Sequence, residues 1–151
     1  MASLAGVAVG GLLQETGREP NGRPRMEMID IASGHRILIS QNLGGDSKAC
    51  CIDPGGVATA SGYLRSAIER YPDLLVINKF SGLEAKGGGL RAEFLDALAG
   101  GIAVLTGLSE RHRESFEAMT QGAGTYLPAN LAALNSWWAA TARPARDLPA
   151  G

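Results

Sequence analysis

Runs of apolar residues separated by turn signals divide the chain into strands and helices. Residues 74–80 and 102–105 are short apolar stretches between turn signals, typical of strands buried on both faces of a parallel sheet. Residues 7–14 also read as a strand. Residues 25–31 and 35–40 flank a Ser-Gly turn, and the first of them alternates apolar and polar positions. This pattern predicts an antiparallel meander near the start of the chain.

Helical periodicity fills most of the remaining sequence, because apolar positions recur every three to four residues. The predicted helices are residues 53–71, 90–98, 110–121 and 128–142, with a further short strand at 125–127. The strand-helix-strand order of the second half implies right-handed crossovers and a parallel sheet. The sequence therefore predicts one three-layer α/β domain over residues 1–142, with a mainly parallel sheet and an antiparallel hairpin extension. The tail at residues 143–151 is predicted to be disordered.

Composition narrows the classes of partner. The 151 residues are 45% hydrophobic and 19% charged, which fits one globular domain with a hydrophobic core. A formal net charge of −1 gives no electrostatic reason to expect nucleic acid or an anionic membrane as a partner. The apolar start at residues 4–13 lacks a basic flank and is too short to span a bilayer. We therefore expect neither nucleic-acid binding nor membrane insertion.

The cysteines favour a reducing compartment. Cys50 and Cys51 are adjacent and cannot form a disulfide framework, so the sequence predicts a cytoplasmic protein. They precede a predicted helix start at Asp53, where a thiolate or soft-metal role is one alternative and small buried side chains are the other. His35 and His112 lie far away in sequence. No zinc spacing results, and no metal site is predicted.

The most informative segment is the end of the strand at residues 74–80. Its apolar run stops at Asn78 and Lys79, and a Ser-Gly turn then leads to Glu84. Polar residues at the carboxyl end of a buried parallel strand lie where open α/β sheets bind ligands. The sequence therefore predicts a functional site at this sheet edge.

This segment resembles the second phosphate-site motif of P-loop nucleoside triphosphatases, in which an apolar strand ends in Asp-Glu. It is similar to the compact nucleoside-triphosphatase family whose strand ends Asp-Glu-Ile-Gly-Lys-Met-Glu. It is more similar to an uncharacterised bacterial family found near molybdenum-transport genes, which carries a Val-Asn-Lys-Phe-Gly core. Residues 9–14, 39–44 and 50–55 look like further landmarks of that second family, and the resemblance spans about residues 7–128. It implies a P-loop-NTPase-like fold and a molybdenum-linked setting.

The hydrolytic motifs of P-loop enzymes are absent from the sequence. No Gly-Lys-Ser/Thr loop occurs, because the three lysines follow Ser47, Asn78 and Ala85. In the triphosphatase family this loop precedes the segment that residues 7–14 resemble, so the first strand and loop are either lost by truncation or dispensed with. Asn78 and Lys79 also replace the Asp-Glu pair that serves Mg²⁺ and the attacking water. We therefore do not expect hydrolysis of Mg-bound nucleotides by the chain alone.

Three residues of this segment are candidates for function. Lys79 could place its ammonium where P-loop enzymes place Mg²⁺ and so bind a phosphate or another oxyanion. The alternative is an ion pair between Lys79 and Glu84 that staples the turn. Asn78 could hydrogen-bond a ligand or the neighbouring loop. Glu84 matches the last Glu of the triphosphatase motif and is the only catalytic candidate, although a structural role in the turn is an equal alternative.

Two further groups could bind an anion. Gly87, Gly88 and Gly89 open a predicted helix, where free backbone amides and the helix dipole favour an anion. A loop that needs glycine only for its geometry is the alternative. Arg23 and Arg25 lie at the hairpin, where the triphosphatase family also carries basic residues. They could form an anion clamp or be solvated loop charges.

Three functional hypotheses result. The first is a P-loop-NTPase-like protein without hydrolytic machinery that binds a nucleotide or an oxyanion, phosphate or molybdate, in molybdenum transport or metabolism. The second is a non-catalytic scaffold subunit that pairs with another copy or a partner through an open sheet edge. The third is a nucleoside triphosphatase that uses Glu84 and is completed by a partner.

Overall fold

A computed structural model describes residues 6–41 and 52–141 of the chain. Cys50, Cys51 and the tail predicted at residues 143–151 lie outside these ranges. The strands are β1 (Val9–Arg18), β2 (Pro24–Asp30), β3 (Arg36–Leu38), β4 (Leu74–Ile77) and β5 (Ala103–Leu105). The helices are α1 (Pro54–Glu69), α2 (Gly82–Ala85), α3 (Arg91–Ala99), α4 (Arg113–Thr120) and α5 (Leu131–Thr141), with a 3₁₀ turn at Glu110–His112.

The strands form one mixed five-stranded sheet with the order β3-β2-β1-β4-β5. β1, β2 and β3 pair antiparallel, whereas β1, β4 and β5 run parallel. Both parallel connections step in the same direction across the sheet, so right-handed crossovers put α1 and α3 on one face. These two helices contact each other. The predicted α/β class, with a parallel centre and an antiparallel extension, is confirmed, and this open sheet is consistent with a P-loop-NTPase-like fold.

The core lies between α1, α3 and the face of the sheet that they cover. Leu12 pairs with Ile77 in the parallel ladder, and both side chains are fully buried on this face. The carboxylate of Asp53 accepts a hydrogen bond from the Gly55 N–H at 3.0 Å and so caps the start of α1. The buried positions of α1 recur every three to four residues, at Gly56, Ala60, Leu64 and Ala67. Within the described ranges, no helix is long and apolar enough to cross a membrane.

The predicted strand at residues 125–127 is wrong, because the structure has no strand there. Tyr126 instead packs on α4. Its hydroxyl donates to Glu117 at 3.1 Å, and the guanidinium of Arg113 lies 4.0 Å from the centre of its ring. A segment of β-forming residues needs a neighbouring strand for its backbone hydrogen bonds, and this one has none in the described part of the chain.

Some helix starts also differ from the prediction, as in the helix predicted from residue 110, where a 3₁₀ turn at Glu110–His112 precedes α4. The last helix begins at Leu131 rather than Pro128, because the side chain of Asn130 accepts the Ala133 N–H at 2.8 Å and caps it there. The short helix α2 follows Ser81, where the sequence indicated only a turn.

A pair of substitutions in α1 tests how closely this helix approaches β3. A Cβ on Gly56 would overlap the carbonyl oxygen of Leu38, whereas a Cβ on Gly62 would meet nothing. We expect Gly56→Ala to lower the free energy of unfolding by about 2–3 kcal/mol, since the backbone must move. Gly62→Ala should raise it by about 0.5–1 kcal/mol. Urea denaturation followed by circular dichroism measures both, and equal effects of the two substitutions would contradict the packing.

Candidate functional site

The residues that follow β4 and β5 lie side by side at the carboxyl end of the sheet. We call this region the carboxyl edge and define it as Asn78, Lys79, Thr106 and Gly107. The backbone hydrogen bonds of the ladder continue past Ile77, since the Asn78 N–H donates to the Leu12 carbonyl at 3.1 Å. The Phe80 N–H then donates to the Gly107 carbonyl at 3.0 Å and to the Thr106 hydroxyl at 3.1 Å. These bonds hold the polar residues after β4 against the loop after β5.

Lys79 is exposed at the carboxyl edge. No carboxylate of the described residues lies within ion-pairing distance of its ammonium. The Lys79–Glu84 ion pair, which the sequence left open as an alternative, is therefore not formed. The peptide bond between Asn78 and Lys79 is cis.

Asn78 is half-buried beside Gly107. A Cβ on Gly107 would lie 3.0 Å from Asn78 Oδ1 and 3.5 Å from the Cβ of Lys79. Glycine at this position therefore leaves room for both side chains. Sequence reasoning missed Thr106 and Gly107, although the end of the strand predicted at residues 102–105 was a usable signal for them.

Glu84 is buried, with 3% of its surface exposed. Its Oε2 accepts hydrogen bonds from the Ser81 N–H at 2.9 Å and the Ser81 hydroxyl at 2.6 Å, and its Oε1 accepts the Leu90 N–H at 3.1 Å. We call this arrangement the Glu84 clamp. Its contacts with Ser81 form a capping box at the start of α2, and its contact with Leu90 ties α2 to the start of α3. Because both carboxylate oxygens are occupied, Glu84 has a structural role in this arrangement.

The glycine loop is engaged within the chain. The Gly87 N–H donates to the Glu84 carbonyl at 3.0 Å, and the Gly88 N–H donates to the Leu83 carbonyl at 2.9 Å. Gly89 has a φ of +57°, and a Cβ there would overlap the Glu84 carboxylate. The position at the start of α3 where an external anion would bind is thus taken by the protein's own carboxylate.

Arg25 lies in an ion-pair network beside the antiparallel strands. Its guanidinium contacts Glu19 at 2.8 Å and Glu27 at 2.7 Å. The hydrogen bonds that Arg25 donates to Glu19 and then to Glu27 raise the pKa of Arg25, and the hydrogen bond from Arg25 lowers the pKa of Glu27. Arg36 pairs with Glu27 as well, and with Glu15. A surface depression is lined by Glu15, Gly17, Arg18, Arg25, Glu27 and Arg36.

Arg25 lies on a part of the β1–β2 hairpin that extends past the end of β4. Arg25 is paired with Gly17, five positions beyond Leu12, the last residue of β1 that pairs with β4. At about 3.3 Å per residue, this places Arg25 roughly 16 Å further along the strand direction. Arg23 is half-buried in the same turn, where its N–H donates to the side chain of Asn21 at 3.1 Å.

The potential metal ligands of the described residues are dispersed. Within residues 6–41 and 52–141, no three side chains of His, Cys, Asp or Glu gather as a metal site. His112 is half-buried near the start of α4, and its ring lies close to Gly82. The two cysteines lie outside the described ranges.

Residues 2–137 match the family described as "protein of unknown function (DUF2478)", and the chain belongs to this family. Over 135 residues, 89% of its length, the chain is 42% identical to the molybdenum import ATP-binding protein ModC 2 of Bradyrhizobium diazoefficiens. The chain spans 15% of the length of that relative. The sequence resembled a family found near molybdenum-transport genes, and this relative is named for molybdenum import. No solved structure matches the chain.

Replacing the carboxylate of Glu84 tests its clamp role. In Glu84→Gln an amide NH₂ would replace one acceptor oxygen and face the N–H of Ser81 or Leu90. We expect the free energy of unfolding to fall by about 1–3 kcal/mol, since a buried donor loses its partner. Urea denaturation of this variant and of Glu114→Gln, an exposed control on α4, is the measurement. Equal stability of both variants and the wild type would contradict the clamp.

The ion-pair network of β2 should make stability depend on acid. Because the folded-state pKa of Glu27 is lowered from its ordinary value of 4.5, its contribution is present above that value and lost as pH falls through the folded pKa. Glu27→Gln should therefore melt at a lower temperature than wild type near pH 7, with the difference shrinking towards about pH 3. Thermal unfolding across this pH range measures it. A difference that stays constant over the whole range would exclude this origin.

Proposed function

We propose that the chain binds a small oxyanion at its carboxyl edge through Lys79, in a molybdenum-related process. The observation that carries this proposal is an exposed ammonium, without a carboxylate partner in the described part of the chain, at the edge where open α/β sheets bind ligands. Arg25 differs, because two glutamates already compensate its charge.

The neighbours of Lys79 suit a small anion. Asn78 adds an amide at the carboxyl edge, and its Nδ2 donates to no acceptor among the described residues. Gly107 has no side chain that would crowd Asn78 and Lys79. An ammonium and an amide can together donate several hydrogen bonds to one tetrahedral oxyanion.

A single oxyanion fits these donors better than a nucleoside triphosphate. Triphosphate sites use a run of free backbone amides leading into a helix N-terminus. Here the amides of Gly87 and Gly88 are engaged, and the Glu84 carboxylate occupies the start of α3. We therefore favour phosphate or molybdate as the ligand, and nucleotide remains the alternative.

The relative supports the molybdenum setting. Its name describes molybdenum import and ATP binding, and the chain spans 15% of its length. Molybdate is the tetrahedral oxyanion of molybdenum, and its size and charge suit a site built from one lysine and one amide. We do not transfer the ATP binding in that relative's name to this chain.

Two other functions belong to different classes. An interaction subunit is favoured by one observation: one edge of β5 pairs with no strand among the described residues. A nucleoside triphosphatase completed by a partner would need Glu84 as its catalytic group. The three hydrogen bonds that the Glu84 carboxylate already accepts argue against that role.

Calorimetric titration with molybdate, phosphate and ATP at fixed salt tests the oxyanion site. We expect molybdate or phosphate to bind the wild type and Lys79→Ala to weaken this binding about ten- to a hundredfold, the loss of about 1.5–3 kcal/mol typical of a charge-assisted contact. Lys86→Ala removes an exposed lysine beside the glycine loop. This control should bind like the wild type.

Circular dichroism should show the same fold for all three proteins. The proposal is wrong if neither oxyanion binds the wild type, or if Lys79→Ala binds as tightly as wild type. Tighter binding of ATP than of either oxyanion would support the nucleotide alternative instead.

A further inference from the structure

The imidazole of His112 lies beside the turn that follows β4. His112 is half-buried, and a Cβ on Gly82 would lie 3.9 Å from its Cε1 atom. Because residue 82 is glycine, no side chain separates the ring from the backbone of this turn. The turn begins three residues after Lys79, so the ring is a neighbour of the carboxyl edge.

The pairing of β4 with β5 brings His112 to this position. Beyond the two strands, Phe80 forms a parallel bridge with Leu108, and its N–H donates to the Gly107 carbonyl at 3.0 Å. The chain then enters the 3₁₀ turn, in which the His112 N–H donates to the Ser109 carbonyl at 2.9 Å. The segment that carries His112 therefore continues directly from the carboxyl edge.

The ring of His112 has unused hydrogen-bonding capacity. Among the described residues, none forms a hydrogen bond with either ring nitrogen, and no carboxylate lies within ion-pairing distance of the ring. The nearby Glu110 and Glu117 instead contact Arg113, at 3.5 and 3.7 Å. A neutral imidazole has one N–H donor and an imidazolium has two, so His112 can donate at least one hydrogen bond to an anion.

We propose that His112 is a second binding residue of the oxyanion site, donating a ring N–H to the anion that Lys79 binds. This inference rests on the proposed function. Consecutive Cα atoms lie about 3.8 Å apart, so the Cα atoms of Lys79 and Gly82 are separated by at most about 11 Å. An extended lysine side chain, one tetrahedral anion and hydrogen bonds of about 2.8–3.0 Å on both sides of the anion bridge such a distance.

A donor from a second loop suits the chemistry of the ligand. A tetrahedral oxyanion presents four oxygens, whereas Lys79 and Asn78 both come from the segment after β4. His112 comes from the segment after β5, so the anion is held between the two loops. Ligands of open α/β sheets bind in this way, outside the carboxyl ends of neighbouring parallel strands.

His35 provides a matched control, because the chain contains only two histidines. Its ring stacks on that of Tyr63, with the ring centroids 5.2 Å apart, and it directly precedes β3. β3 lies three strands away from β4 in the sheet. At about 4.8 Å per strand this is roughly 14 Å, so an anion at the carboxyl edge should not contact His35.

Nuclear magnetic resonance of the two histidine rings, during titration of the wild type with molybdate and with phosphate, tests the contact. We expect the ring nitrogen and Cε1–H signals of His112 to shift with the midpoint that calorimetry gives for binding. The signals of His35 should not move. His112→Phe and His35→Phe each remove one set of signals and so assign them.

Calorimetric titration of the same variants measures the effect on affinity. His112→Phe keeps a ring beside Gly82 but has no N–H, and we expect it to weaken oxyanion binding about three- to tenfold, as loss of one hydrogen bond does. His35→Phe should bind like the wild type. Circular dichroism should show the same fold for both variants.

Two results would overturn the role of His112: ring signals that stay in place at saturating oxyanion, or a His112→Phe variant that binds as tightly as the wild type. If Lys79→Ala still weakens binding in that experiment, the oxyanion site stands and only His112 is removed from it. A wild type that binds neither oxyanion would overturn the proposed function and this inference together.

Discussion

The buried carboxylate of Glu84 holds the turn after β4 and the start of α3 together, next to the carboxyl edge. By accepting three hydrogen bonds from Ser81 and Leu90, it ties the turn after β4 to the start of α3. A buried carboxylate without these donors would be costly, so the turn and the helix start are stable only together. The loop needs glycine at position 89, since a side chain there would overlap the Glu84 carboxylate.

The clamp has a direct consequence for binding. The Glu84 carboxylate occupies the start of α3, where an external phosphate would otherwise bind. Lys79 is left as an exposed ammonium at the carboxyl edge. Under the proposed function, binding therefore depends on side chains at the carboxyl edge rather than on backbone amides.

The sequence correctly predicted those elements whose burial and capping signals lie within a few residues of each other. The apolar run ending at Asn78, and the helix entered at Asp53 and Pro54, carry their own burial and capping signals, and the structure has both. The strand predicted at residues 125–127 failed because a strand requires a partner, which local propensity does not reveal. The contacts of Arg25 depend on the register of β1 and β2. The role of Glu84 depends on where the Leu90 amide lies, which only the folded loop determines.

We propose that Lys79, rather than the glycine loop or the hairpin arginines, is where this chain binds an oxyanion. Anomalous diffraction at the molybdenum absorption edge, from crystals of the chain grown with molybdate, tests this directly. We expect a molybdenum peak beside Asn78 and close enough to the Lys79 ammonium for a molybdate oxygen to accept its hydrogen bond. A peak at Gly87, Gly88 and Gly89 or at Arg25, with none at Lys79, would contradict it.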